Sequence, residues 1–161
     1  MAERSELMRL LEYHPASGLF TNKLRRGKQK AGQVTGTLHH KGYIHISING
    51  KKYLAHRLAM LFMTGSIPAL VDHKNQVKDD NRWDNLRAVN NTESEKNKPL
   101  RKDNKSGVVG VYLVDGKYKA SIRLNKKLLH LGTFHTFEEA CAVRKEAEAS
   151  NGFHANHGKK D

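Results

Sequence analysis

An α+β fold built as two small modules is predicted by three features of the sequence. A strand-turn-strand pattern precedes an amphipathic helix in the first half, three strand-like runs precede a capped helix in the second, and a basic Pro- and Gly-containing stretch lies between them. A chain of 161 residues is sized for one ordinary domain or two very small ones, and a hydrophobic fraction of 37% allows modest cores.

The elements follow in order. A short helix is expected near Ser5 to Leu11, then a strand at GLFTNK and a basic loop, KLRRGKQKAGQ, that cannot contribute a core. In YIHISINGKKYLAH, Ile44, Ile46 and Ile48 alternate with Tyr43, His45 and Ser47, and Asn49-Gly50 suits a turn with positive φ, so a hairpin is expected. A helix from about Ala55 to Thr64 repeats Ala55, Leu58, Ala59 and Phe62 at helical spacing and stops at Gly65; Leu58 and Phe62 should be buried. Two short strands, Ala69 to Asp72 and Leu86 to Val89, flank a polar loop rich in Asn and Asp. A polar helix follows from about Thr92 to Lys96.

Residues 98–104 read as a basic linker, which divides the chain into a first module of residues 1–97 and a second of 105–161. The second module has strands at GVVGVYL, KYKASIRL and KKLLHLGTF, and a helix at TFEEACAVRKEAEASNG. Thr136 and Glu139 form a capping-box pattern at its start, and Asn151-Gly152 forms a stop.

Charge narrows the partner. The 29 Lys and Arg against 16 Asp and Glu give a formal charge of +13, which concentrates polyanions around the chain. Nucleic acid is therefore the leading partner. No apolar run approaches the roughly 18 residues that span a bilayer, and MAERSELMRL has no signal-peptide core, so a cytoplasmic location is expected. The single cysteine, Cys141, excludes an internal disulfide and a Cys-based zinc cluster, and reads as helix packing. RNA is disfavoured because no paired surface aromatics suited to stacking unpaired bases are legible.

Asp72 and His73 stand together at the end of an apolar strand, where successive side chains project to opposite sides. Taken alone they read as a polar strand end. The spaced Asn75, Asn81 and Asn85 in the loop that follows change that reading. The stretch YLAHRLAMLFMTGSIPALVDHKNQVKDDNRWDNLRAV, with AHRL, DH then N, DNRW and NLR in order, resembles the phage-type HNH homing endonucleases. Together with LLEYHPASGLFTNK, KAGQVTG and GYIHISINGKKY, the resemblance covers most of residues 7–97.

That resemblance implies an HNH ββα-metal nuclease that hydrolyses DNA phosphodiesters with Mg²⁺ or Mn²⁺. It implies His73 as the general base, Asn85 as the residue that orients it by holding the strands in register, Asp72 as a metal ligand, and Arg57 and Arg87 as phosphate contacts. His56 is expected to be structural. Such chemistry suits these residue types, since a hard cation takes oxygen ligands and imidazole accepts a proton near neutrality. The sequence departs from the family at Ser94, a weaker ligand standing where Asn or His is usual.

In KYKASIRL, Lys117, Lys119, Ser121 and Arg123 alternate with Tyr118, Ala120, Ile122 and Leu124, which gives a basic face and an apolar one. Lys126 and His130 extend the basic face, and Arg101 adds to the charge before it. SGVVGVY, KYKASIRL, HLGTF and FEEAC resemble the apetala-type (ethylene-response-factor) DNA-binding domain, which implies that a βββα module docks its sheet on double-stranded DNA through Lys119, Arg123 and His130. The expected protein is a nicking or homing-type endonuclease, a monomer or a weak dimer on DNA. A non-catalytic DNA-binding or phage assembly protein on a decayed HNH fold is the alternative.

Overall fold

The computed structural model describes residues 2–159, with small antiparallel sheets and four helices among them. The chain divides into two compact units, Met1–Asn90 and Asn91–Asp161.

In the first unit, helix α1 (Ala2–Leu10) runs directly into strand β1 (Leu11–His14), which pairs with β2 (Leu19–Asn22), and β2 pairs with β3 (Val34–Thr35). The helix thus ends a residue before Leu11, which is the first residue of a strand. A second sheet orders β4 (Thr37–Leu38), β5 (Ile44–Ile48) and β6 (Lys51–Leu54). Its β5–β6 hairpin turns through Asn49 at φ 49° and Gly50 at φ 77°, the paired positive dihedrals that an Asn-Gly turn favours. Helix α2 (Ala55–Thr64) follows without a break and ends at Gly65, whose left-handed backbone returns its N–H to the Leu61 carbonyl. Leu11, Phe20, Ile46, Leu58 and Leu86 form the buried centre of this unit. Phe62 is only half-buried, because it lies at the margin of that core with its ring edge-on to Phe20.

Strands β7 (Leu70–His73) and β8 (Leu86–Val89) form a separate antiparallel pair, with His73 included in the strand and a 3-10 turn at Trp83–Asn85 leading into β8. The β1–β2 turn packs on the loop between them: the Trp83 amide donates to the Pro15 carbonyl at 2.9 Å, and the Tyr13 hydroxyl donates to the Asn81 carbonyl at 2.7 Å. At Gly18, φ is +74° and a Cβ would lie 2.4 Å from the Arg82 nitrogen and 2.5 Å from the Asn81 carbonyl carbon. Gly18→Ala therefore has to move backbone as well as adopt a disfavoured dihedral. We expect a loss of about 2 kcal/mol or more in urea unfolding. An unchanged midpoint would show that the turn and loop yield freely.

In the second unit, helix α3 (Asn91–Glu95) is followed by a segment that pairs with the C-terminal tail. The His154 amide donates to the Lys96 carbonyl, Gly158 to Lys98, and Leu100 to Lys159 at 2.8 Å. This segment begins the stretch expected to be a linker, yet Asn97 and Leu100 are buried and the division between units falls earlier, after Asn90. Strands β9 (Val111–Val114), β10 (Lys117–Leu124) and β11 (Lys127–Phe134) form an antiparallel sheet in the order β11-β10-β9. Helix α4 (Phe137–Ser150) opens with the Thr136–Glu139 capping box made in both directions. Val111, Ala120 and Ala140 are buried between sheet and helix, with Tyr118, Phe134 and Phe137 packed around them.

One expectation is corrected at Ser121, beside an irregularity in the β10–β11 register. Ser121 is buried, not exposed with the lysines: its amide donates to the Gly110 carbonyl at 2.8 Å, and its own carbonyl takes the Arg144 guanidinium.

Candidate active site on the β7–β8 hairpin

The register of the hairpin sorts its titratable groups by face. Asp72 stands opposite Arg87, and His73 opposite the buried Leu86. The Arg87 guanidinium places Nη2 at 2.7 Å and Nε at 3.1 Å from Asp72 Oδ2, so both contacts converge on one carboxylate oxygen. This half-buried cross-strand pair ties the two strands together at the level of the candidate site.

His73 is 4% exposed, and burial is the largest influence on its imidazole, holding its pKa below the ordinary value. Asn81 and the carboxylates of Asp72, Asp80 and Asp79 act in the opposite sense. At neutral pH the ring is therefore unprotonated, as a general base requires. Its tautomer follows from the hydrogen bonds. Asn81 Nδ2 donates to the Asp79 carbonyl at 3.1 Å, which turns Oδ1 toward His73, so the Nε2–H of His73 donates to Oδ1 at 3.3 Å. The proton then sits on Nε2, and Nδ1 is the basic nitrogen.

Each of the three asparagines braces the loop differently. The Asn85 side chain accepts from the Asn75 amide at 3.0 Å and donates to the Asp80 carbonyl at 2.7 Å, while its own carbonyl accepts from Lys74. Asn75 accepts from the Val77 amide and donates to Asp80 Oδ2 at 2.7 Å. Asp80 also binds Arg82, whose guanidinium is the main reason its carboxyl falls to about 2. Asn85 thus fixes the loop's backbone, and Asn81 is the asparagine bonded to His73. Spacing alone does not distinguish those two tasks, because all three residues lie in the same polar loop.

Two further rings surround His73. His56, from α2, stands edge-on at 5.1 Å between centroids, and Tyr43, preceding β5, lies 6.1 Å away. His56 is 6% exposed, its Nδ1 has no hydrogen-bond partner, and burial, with His73 and Arg57 nearby, pushes its pKa down to about 3. The folded state thus holds His56 neutral, whereas the unfolded chain binds a proton near pH 6.5. Its stability contribution is complete above that pH and is lost as the pH falls toward about 3. At about pH 5 His56 alone should lower stability by about 2 kcal/mol relative to neutral pH; His73 and His157, whose pKa values burial also lowers, add to the total deficit in urea unfolding, and His56→Phe should remove the His56 share. An equal deficit in that variant would place the acid sensitivity elsewhere.

Of the remaining site residues, Arg57 donates to the Ala69 carbonyl at 3.1 Å, and Arg101 is an exposed partner of Asp103. Ser94 lies on α3 in the second unit. Lys117, Arg123, Lys126 and His130 are exposed and Lys119 is half-buried, with Lys126 in the β10–β11 turn and His130 within 3.3 Å of the Thr133 hydroxyl.

The sequence model of the HNH endonuclease family matches residues 53–96. This supports an HNH nuclease domain, a hydrolase, with DNA as the implied substrate class. The matched span runs from β6 through α3 and includes Arg57, Asp72, His73, Asn85, Arg87 and Ser94. No curated protein and no solved structure matches the chain.

Among the described residues, no group of three or more His, Cys, Asp or Glu side chains is placed to hold a metal ion, and no helix is long and apolar enough to cross a membrane. Asp72 nonetheless offers a hard oxygen donor of the kind Mg²⁺ takes. That ion commonly uses only one or two carboxylates and completes its shell with water and substrate phosphate, so the donor chemistry fits.

Proposed function

We propose that the protein is a metal-dependent endonuclease that nicks double-stranded DNA, with His73 as its general base. The observation that carries this reading is the His73 imidazole, kept neutral by burial and fixed by Asn81 in the tautomer that leaves Nδ1 basic. In the proposed reaction His73 accepts at Nδ1 the proton of the attacking water. Arg87 and the asparagine-braced loop hold Asp72 and His73 in place. Asp72 would hold Mg²⁺ or Mn²⁺, and the ion when bound would supply charge stabilisation at the phosphate and leaving oxygen.

The second unit is proposed as an apetala-type DNA-binding module whose outer sheet face carries Lys117, Lys119, Arg123 and His130, with Lys126 at its edge. The register supports this: Lys117 is opposite Val114, Lys119 opposite Tyr112 and Thr133, and Arg123 opposite Leu128, on the face away from Ala120 and Ile122. Arg57, Arg87 and Arg101 are proposed phosphate contacts. One active site per chain cuts one strand, so a monomer or weak dimer of homing type, in the cytoplasm of a bacterial or phage-infected cell, is the proposed setting.

The test is incubation of supercoiled plasmid with purified protein in Mg²⁺, Mn²⁺ or EDTA. Nicked circles in either metal and none in EDTA are expected. Duplex binding without nicking, with activity appearing in Ser94→Asn, would instead favour a DNA-binding protein on a decayed nuclease site, the reading that the Ser94 hydroxyl keeps in play.

A further inference from the structure

A cluster of histidines and lysines at one end of the β4–β5–β6 sheet has no part in the chemistry described so far. The rings of His39 and His45 stack face to face, 4.5 Å apart and only 3° from parallel, and the His40 ring lies 3.9 Å from that of His39. Lys41 follows in the same turn, which closes when the Gly42 amide donates to the His39 carbonyl. Lys78, from the β7–β8 loop, donates to the Lys41 carbonyl at 3.3 Å and lies 5.4 Å over the Tyr43 ring. In the register of the sheet His45 stands opposite Leu54, and Ser47 opposite Lys52, which puts His45 and Lys52 on one face while Ile46 enters the core.

Such a cluster works against itself unless something anionic covers it. Burial is the largest influence holding the His39 pKa below its ordinary value, and the neighbouring groups act in the same sense: His40 and Lys41 in the turn, His45 on β5 and Lys52 on β6. Beyond the cluster, His45 acts on His56, and Asp72 acts on Tyr43 from the β7 side. Parallel rings direct their nitrogens side by side and not at one point, which is the wrong arrangement for a metal chelate. It does suit a row of phosphates, each able to accept from an imidazolium or ammonium. The row is also in the right place, since Tyr43 lies beside both Lys78 and the candidate base His73.

We infer that His39, His40 and His45 with Lys41, Lys52 and Lys78 form a proton-linked clamp that grips the sugar–phosphate backbone of duplex DNA beside His73. This rests on DNA being the ligand, as proposed above, and adds where the duplex crosses the first unit and that protons are taken up as it does. A bound phosphate replaces the mutual repulsion of the cluster with attraction, so the imidazoles bind protons more readily in the complex than in the free protein. By linkage, DNA affinity must then rise as the pH falls.

The test is fluorescence anisotropy of the full-length protein with a random-sequence duplex in EDTA, titrated at about pH 7.5 and about pH 6. Wild type should bind about tenfold more tightly at the lower pH. The His39→Asn/His40→Asn/His45→Asn variant should lose most of that gain while binding almost normally at the higher pH. Lys41→Ala/Lys52→Ala/Lys78→Ala, confined to exposed side chains, should reduce the slope of log affinity against log salt by roughly two to three. An unchanged pH response in the histidine variant, or an unchanged salt slope in the lysine variant, would overturn the clamp. Loss of both responses in a protein that nicks no plasmid would support the clamp and overturn the nuclease reading; metal-dependent nicking with both responses unaltered would do the reverse.

Discussion

Replacing His73 with alanine should lower metal-dependent plasmid nicking by about 10²–10⁴-fold, the range in which a positioned general base contributes, while leaving duplex affinity near that of wild type. The expectation combines the burial that keeps the ring neutral with the Asn81 contact that fixes its tautomer. Alanine also opens a cavity beside Leu86, so lost activity alone would not separate chemistry from packing. His73→Gln separates them, because its amide fills more of the space and can still donate toward Asn81 but cannot take up a proton at neutral pH. Both variants should be equally inactive, with the glutamine form melting closer to wild type. Turnover retained in His73→Gln would remove His73 as the base and leave it a structural role.

What the sequence reveals depends on how local the determining physics is. The β5–β6 hairpin is legible because alternating isoleucines and an Asn-Gly turn specify it within a dozen residues, and α4 because Thr136 and Glu139 cap it locally. The two-residue strands β3 and β4 carry no such signal; they exist because β2 and β5 offer edges to pair with. The stretch after α3 has a linker's composition, but Lys96, Lys98 and Leu100 meet backbone from the other end of the unit, a pairing no local pattern encodes. In the candidate site, adjacency in the sequence correctly places Asp72 and His73 on opposite sides of a strand. The choice of Asn81 as the partner of His73 comes from the loop's closure through Asn85 and Asp80, which only the folded chain displays.

Arg144 shows the same limit and gives the largest expected effect on stability. In a helix of mixed charge an arginine reads as solvent-facing, yet this one is 3% exposed. Its Nη1 donates to the Ser121 carbonyl at 2.5 Å, its Nε donates to Glu148 Oε1 at 2.8 Å, and its guanidinium carbon lies 5.6 Å over the Phe153 ring. The Ser121 amide donates to Gly110, so its carbonyl lies along the same strand edge, and Gly110 leaves room for it: a Cβ there would stand 2.3 Å from that oxygen and 3.1 Å from Arg144 Nη1. Removing the guanidinium strands a buried carbonyl and a mostly buried carboxylate, a loss of about 3–5 kcal/mol for a buried pair broken from one side. Arg144→Ala should therefore accelerate amide exchange across β10 and α4. Arg144→Lys should recover only part of the loss, since one ammonium cannot reproduce the fork that reaches strand and helix together. Because this link joins α4 to the strand that carries Lys119 and Arg123, the alanine variant should also bind duplex more weakly even though Arg144 is too buried to meet it. Exchange rates and affinity both at wild-type values would mean that the sheet holds its shape through Val111, Ala120 and Ala140 alone.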